Sequence, residues 1–147
     1  MSATDINNLK SVIMNRISSE VSTVQAVYDY DRIVFTGFPA VTVTIADNDN
    51  DFWSTGENQR AFNFDLDIFI QISKNTQTVD DNAIQSAERI MGNVVSDILD
   101  AFDSFTTFGG AANFLRAAPS SSDYINSSEG WLRHAKIKLQ IIQLHVV

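Results

Sequence analysis

The chain has no cysteine, which excludes disulfides and thiolate metal sites from its 147 residues. Histidine is nearly as scarce, so imidazole chemistry is restricted to His134 and His145. Both fall on the polar positions of an alternating stretch, without His-x-x-x-His spacing, and each reads as a surface side chain. Cations are few: ten Lys and Arg stand against 18 Asp and Glu, a formal net charge of −8. Binding to a phosphate backbone depends on Lys and Arg displacing counterions, so sequence-specific nucleic-acid binding is not expected. No uncharged apolar run approaches the ~18 residues of a membrane helix. The N-terminal MSATDINNLK lacks the basic region and apolar stretch of a secretory signal, and Asn126-Ser127-Ser128 is a sequon with no other sign of export. A soluble protein with no membrane partner is expected. There is also no Gly-x-Ser-x-Gly elbow, no phosphate-binding loop and no dinucleotide fingerprint, so neither an enzymatic activity nor a cofactor is predicted.

What is present reads as one domain over 1–147, of a length that removes roughly 70% of the unfolded surface from water. Ile6, Leu9, Ile13, Ile17 and Val21 recur at helical spacing behind Thr4, a candidate N-cap. Val24 to Tyr30 and Ile33 to Phe35 look extended, and Gly37 and Pro39 mark a turn. Val41, Val43 and Ile45 alternate with Thr42 and Thr44, as in a half-buried strand. Phe62, Phe64, Leu66, Ile68, Ile70 and Ile72 then form one face of a longer strand, with Asn63, Asp65, Asp67 and Gln71 on the other. Its predicted partner is the C-terminal stretch, where Ala135, Ile137, Leu139 and Ile141 alternate with His134, Lys136, Lys138 and Gln140. The phase slips at Ile141-Ile142, which predicts a β-bulge or a change of surroundings. Between these strands a second helix is predicted to begin at Thr78, with Asp81 three residues later as a carboxylate version of the capping box and a buried stripe from Ala83 to Phe105. Gly92 in its middle predicts close packing or a slight bend. Asn113 to Ala118 reads as a short strand, and Pro119-Ser120-Ser121-Ser122 as the start of a loop lasting to about Gly130. The expected fold class is α+β: a mainly antiparallel sheet with two helices packed on one face.

Two groups of carboxylates are candidates for chemistry. Asp47, Asp49 and Asp51 stand where an EF-hand loop places its first ligands, but the sixth and twelfth positions hold Phe52 and Asn58 in place of Gly and Glu, with Glu57 one residue early. Asp65 and Asp67 share a strand face and could suggest a glycosidase-like pair. Opposite Lys136 and Lys138, they read instead as cross-strand ion pairs. No metal ligand and no catalytic residue is assigned. Phe52-Trp53, two large aromatics inside a polar loop, either fold back onto the core or enter a partner's surface, where such residues are enriched. Charge is also uneven along the chain: residues 47–103 hold twelve acids and three bases, whereas residues 116–147 hold four bases and two acids. Such a chain is suited to joining copies of itself through unlike surfaces.

The order of these features resembles the tail terminator and tail-completion proteins of long-tailed bacteriophages. The resemblance covers most of the chain. It rests on the N-terminal helix, FTGFPAVTV, DFWSTGENQRAFNFDLDIFI, the long second helix and the closing LRHAKIKLQIIQLHV. It implies a homo-oligomer, a hexameric ring that caps the head-proximal end of the tail tube, stops its elongation and offers a docking surface to the head. The implied partners are the major tail tube protein and a head connector or stopper protein, with DNA passing through the ring. The implied place is the neck of the virion, after assembly in the host cytoplasm. On this reading Asp47, Asp49, Asp51, Phe52, Trp53, Glu57, Asn58 and Arg60 form a ring or tube interface, with the two aromatics as anchors. The alternatives are another neck protein, such as a connector or stopper, a minor tail protein, or a ligand- or calcium-binding domain that uses loop 47–58.

Overall fold

A computed structural model describes residues 6–31, 34–46, 59–73, 80–105, 114–127 and 130–144. Two helices, α1 (Ile6–Glu20) and α2 (Asp81–Asp103), accompany five strands: β1 (Ala26–Tyr28), β2 (Ala40–Ile45), β3 (Gln59–Ser73), β4 (Phe114–Ser127) and β5 (Gly130–Leu144). The strands form one sheet in the order β1-β2-β3-β5-β4, antiparallel throughout except for the β1–β2 pair. Leu9, Ile13, Ile17 and Val21 of the α1 segment and Ala87, Met91, Val94, Ile98, Ala101 and Phe102 of α2 share one core with the sheet. The sheet contributes Val41 and Val43, the even residues from Phe62 to Ile70, and the odd residues from Ala135 to Ile141. This is the expected α+β arrangement, with both helices on the face where the period-2 apolar residues converge.

The helix ends show how local chemistry fixes the frame. Asp80, in extended conformation, caps α2 by accepting from the Ala83 amide at 2.7 Å, so the cap is Asp80 rather than Thr78, which lies outside the described residues, as does Thr4. At the other end Arg16 reaches from α1, donating from Nε to the Ala101 carbonyl at 3.0 Å and from Nη2 to Ser104 Oγ at 2.9 Å. Its guanidinium also lies over the Phe105 ring. A cation there suits the negative end of the helix macrodipole, since α2 has no basic residue of its own in its last turn. Gly92 is not the close-packing position its place suggests. It is exposed, and an added Cβ would meet nothing within 4 Å. Gly92→Ala is therefore expected to raise stability by about 0.5–1 kcal/mol through helix propensity and a less disordered unfolded state. A urea midpoint at or below wild type would refute this.

The largest departure from expectation is β4. The stretch from Pro119 to Ser127, read as a loop, is strand, and with β5 it forms a long hairpin through Ser127↔Gly130. Gly130 has φ 97°, a region that costs an L side chain energy. Proline is tolerated here because β4 is an edge strand, and the turn-forming Ser120-Ser121 pair is absorbed by a register shift between Pro119 and Ser122. Arg133 supports this irregular stretch, donating to the Asp123 carbonyl at 2.7 Å and to Ser122 Oγ at 3.2 Å. The bulge expected at Ile141-Ile142 is not there, since β3 and β5 stay in register from Gln59↔Leu144 to Gln71↔Leu132. The apolar phase changes because Ile142 faces the other side of the sheet, where it is half-buried. Nor is β2 simply half-buried: Thr42 is 1% exposed, while Ile45, at the strand's end, is open to solvent.

Candidate functional site

The helices cover one face of the sheet, and the opposite face holds most of the polar side chains that the topology brings together. Strand pairing places them in rows. Ala40, Phe69, His134 and Asp123 form one, Thr42, Asp67 and Lys136 the next, and Thr44, Asp65, Lys138 and Ala118 a third. Asn63, Gln140 and Arg116 follow.

At one end this outer face is closed by the chain itself. Phe35, Ala40 and Leu132 are buried there, with Tyr28, Phe38, Phe69 and Ile125 packed around them. The Phe35 ring lies 4.8 Å from Phe69, and Phe69 stacks on His134 at 4.9 Å. Tyr28 holds the β1–β2 connection in place: its hydroxyl lies 2.7 Å from Thr36 Oγ1 and accepts from the Thr36 amide at 3.0 Å.

The centre is charged and largely buried. His134 lies between two carboxylates, with Nε2 2.7 Å from Asp67 and Nδ1 2.7 Å from Asp123. A neutral imidazole can donate from only one nitrogen, so the arrangement favours the imidazolium. Burial alone would lower its pKa, but the hydrogen bonds and charges of Asp67 and Asp123 outweigh burial and raise it above the ordinary value. His134 is therefore not the plain surface side chain its polar strand position suggested. The expected partnership of Asp65 and Asp67 with the β5 lysines holds in register, Asp65↔Lys138 and Asp67↔Lys136. The ion pairs converge on one lysine, however: Lys136 Nζ lies 3.5 Å from Asp65 and 3.9 Å from Asp67. Two buried atoms here, Thr42 Oγ1 and Asp65 Oδ1, have no hydrogen-bond partner among the described residues. A carboxylate engaged by lysine and a second one bridged by imidazolium are acceptors, and the geometry builds a structural brace across β3, β5 and β4.

At the other end the outer face opens into a groove of about 250 Å³. Ala46 and Ala118 leave the space, Arg116 and Lys138 line it, and Asn63 and Gln140, whose amides bond each other at 3.2 Å, complete it. Because the side chains of Phe64 and Leu139 point to the core, the groove meets those residues through their main chain. Its chemistry suits carboxylates: two cations and two amides beside small residues.

A further polar cluster sits on the helix side. Glu88 of α2 accepts from Arg133 and, at 2.7 Å, from the Tyr124 hydroxyl, while the Arg133 guanidinium lies over the Tyr124 ring. The Tyr124 hydrogen bond, with that from Arg133, lowers the Glu88 pKa, and the same contact with Glu88 raises that of Tyr124. This cluster fastens α2 to the β4–β5 hairpin.

Asp47, Asp49, Asp51, Phe52, Trp53, Glu57 and Asn58 lie outside the described residues, and of Arg60 only the backbone, paired with Gln143 in β3–β5, is described. His145 is outside them too. Among the described residues no group of three or more His, Asp or Glu side chains is placed to hold a metal ion, and no helix is long and apolar enough to cross a membrane. Sequence reasoning missed the partners of His134, Arg116 as a groove residue, and the Glu88–Tyr124–Arg133 cluster. Asp123 and Tyr124 were hidden because the chain from Pro119 on reads as a loop, whereas Asp67 and Arg116 lie on stretches read as strands and only the strand pairing brings them to these positions. The available signal was the polar-apolar sequence Asp123-Tyr124-Ile125-Asn126, which continues a strand past the serines. No family model matches the chain, and no curated protein matches it.

Proposed function

We propose that this chain is a structural subunit of the neck of a long-tailed bacteriophage, a tail terminator that assembles into a ring on the head-proximal end of the tail tube. The reading starts from the sequence resemblance. What supports it is the order in which the resembling segments occur: α1, the turn leading into β2, the long β3, the long α2 and the closing β5. The ring would stop tube growth by surface complementarity, presenting one side to the last tube ring and the other to a connector or stopper protein. A sheet with a helix layer on one side and an open, cation-lined groove on the other provides two unlike surfaces, as head-to-tail closure requires.

The test is the mass of the purified chain by light scattering, alone and mixed with tail tubes, followed by imaging. A ring of subunits at one end of the tube is the expected result. A chain that neither forms rings nor binds tube ends would refute the reading. The same assay on a chain lacking residues 48–56 examines the acidic loop, whose loss is expected to leave the fold intact and impair assembly.

A further inference from the structure

Two sets of opposite charges lie on opposite sides of this molecule, and neither is paired among the described residues. On the sheet's outer face, Arg116 and Lys138 are exposed at the groove. On the helix side, Asp97, Asp100 and Asp103 are exposed along the C-terminal half of α2, and their three-residue spacing keeps them along one side of the helix. None of these five side chains forms an ion pair among the described residues, although Arg16, Arg133, His134 and Lys136 all do.

The position of the aspartates sharpens the point. Carboxylates near the C-terminal end of a helix oppose its macrodipole and are unfavourable to the isolated subunit. The sequence nevertheless places Asp97, Asp100 and Asp103 in the last two turns and gives the last turn no basic residue; Arg16 of α1 meets the helix's carbonyl end, but its ion pair is with Glu20 and not with these aspartates. Arg89, more than two turns earlier, is the cation on the exposed side of this helix. Among the described residues around the groove, the neighbouring carboxylate on the same face is Asp65, 8% exposed and engaged by Lys136. Among those residues, Arg116 and Lys138 are the charges presented to an incoming surface.

We infer that the Arg116–Lys138 groove receives the Asp97–Asp100–Asp103 side of α2 from a second copy of this chain. This deepens the assembly reading above and rests on it, by naming which faces meet. Charge complementarity selects the occupant. The chain carries −8 overall, so two copies repel except where a local cationic surface meets a carboxylate row. Because the two surfaces are on opposite sides of one subunit, each docked copy presents a free groove or a free helix for the next. The contact is heterologous, the kind that closes into a ring when the rotation between neighbours allows it and extends as a filament when it does not.

The experiment is a charge exchange on the full chain, read by sedimentation velocity at low ionic strength. Arg116→Glu with Lys138→Glu makes both surfaces acidic, and Asp97→Lys with Asp100→Lys makes both basic. All four positions are exposed, so each double variant is expected to keep the wild-type circular dichroism spectrum. Each alone should self-associate roughly a hundredfold more weakly than wild type, because like charges then face each other. Mixed in equal amounts, the two variants should associate again, since each supplies the surface the other lacks, and added salt should reverse this. Wild-type association by either variant alone, or no recovery on mixing, overturns the inference while leaving assembly through another surface intact. A wild-type chain that stays monomeric at high concentration overturns it as well. Tube-end binding then judges the broader reading separately.

Discussion

Replacing Phe64 with alanine is expected to lower folding stability by about 3–5 kcal/mol, the range for truncating a large aromatic in a core that cannot collapse onto the gap. Phe64 is 1% exposed and lies in the interior strand β3, with Ile45 opposite on β2 and Leu139 opposite on β5. Neighbouring strands hold its backbone on both sides, so the cavity stays largely open. Against a total stability of roughly 5–15 kcal/mol for an ordinary domain, the loss takes away about a fifth of the margin or more. A chain of this length should melt about 10 °C lower, at 2–4 °C per kcal/mol. Phe69→Ala is the control. Phe69 sits on the outer face and is only partly buried, so its loss should cost clearly less. Equal losses for the two variants would mean that the outer face carries as much of the core energy as the helix-covered face, contrary to the packing described here.

The second large effect is a pH dependence centred on His134. Its folded pKa lies above the ordinary 6.5, so the bridge to Asp67 and Asp123 contributes fully below pH ~6.5 and is lost as pH rises through the folded value. Stability should therefore fall on the alkaline side of ~6.5, the reverse of the rise expected from carboxylates with depressed pKa values. His134→Gln should remove the slope and cost about 1–3 kcal/mol at pH 6, because two carboxylates lose a charged donor. Urea midpoints of both proteins between pH ~5.5 and ~9 check this, with the difference between the curves isolating His134 from other groups. Parallel curves would show that the imidazole is not held between the two carboxylates in solution.

The helix-covered core was legible in the sequence almost residue by residue. Period-2 burial in β3 and β5 and period-3.6 burial in α1 and α2 depend on which side of an element meets the core, and the alternation states that directly. The β3–β5 register could be read as well, because opposite charges at Asp65, Asp67, Lys136 and Lys138 mark the facing positions. The outer face was not legible. Its groove and its His134 bridge require β4, and Pro119-Ser120-Ser121-Ser122 carries turn chemistry that only an edge position and a register shift make compatible with a strand. Burial on that face was equally hidden: Thr42 looks like the polar half of an alternation, yet it is as buried as Val41 and Val43. The alternation of a strand says which residues share a side, not whether something else covers that side.

The sheet order also sets a timetable. The interior strand β3 finds its longest neighbour, β5, only after α2 and β4 have intervened in the chain, whereas β2 and β3 lie nearer in sequence. Closing so long a loop costs entropy before any pairing energy is returned, which puts this topology among the slower-folding ones. Until β5 arrives, one edge of β3 is an unpaired template with Phe64, Leu66 and Ile68 on its apolar side, the kind of edge on which strands of other molecules can add. The β4–β5 hairpin shortens that exposure. Its two strands can zip locally around Gly130 and dock on β3 as one unit, so the step that completes the sheet also covers its most aggregation-prone edge.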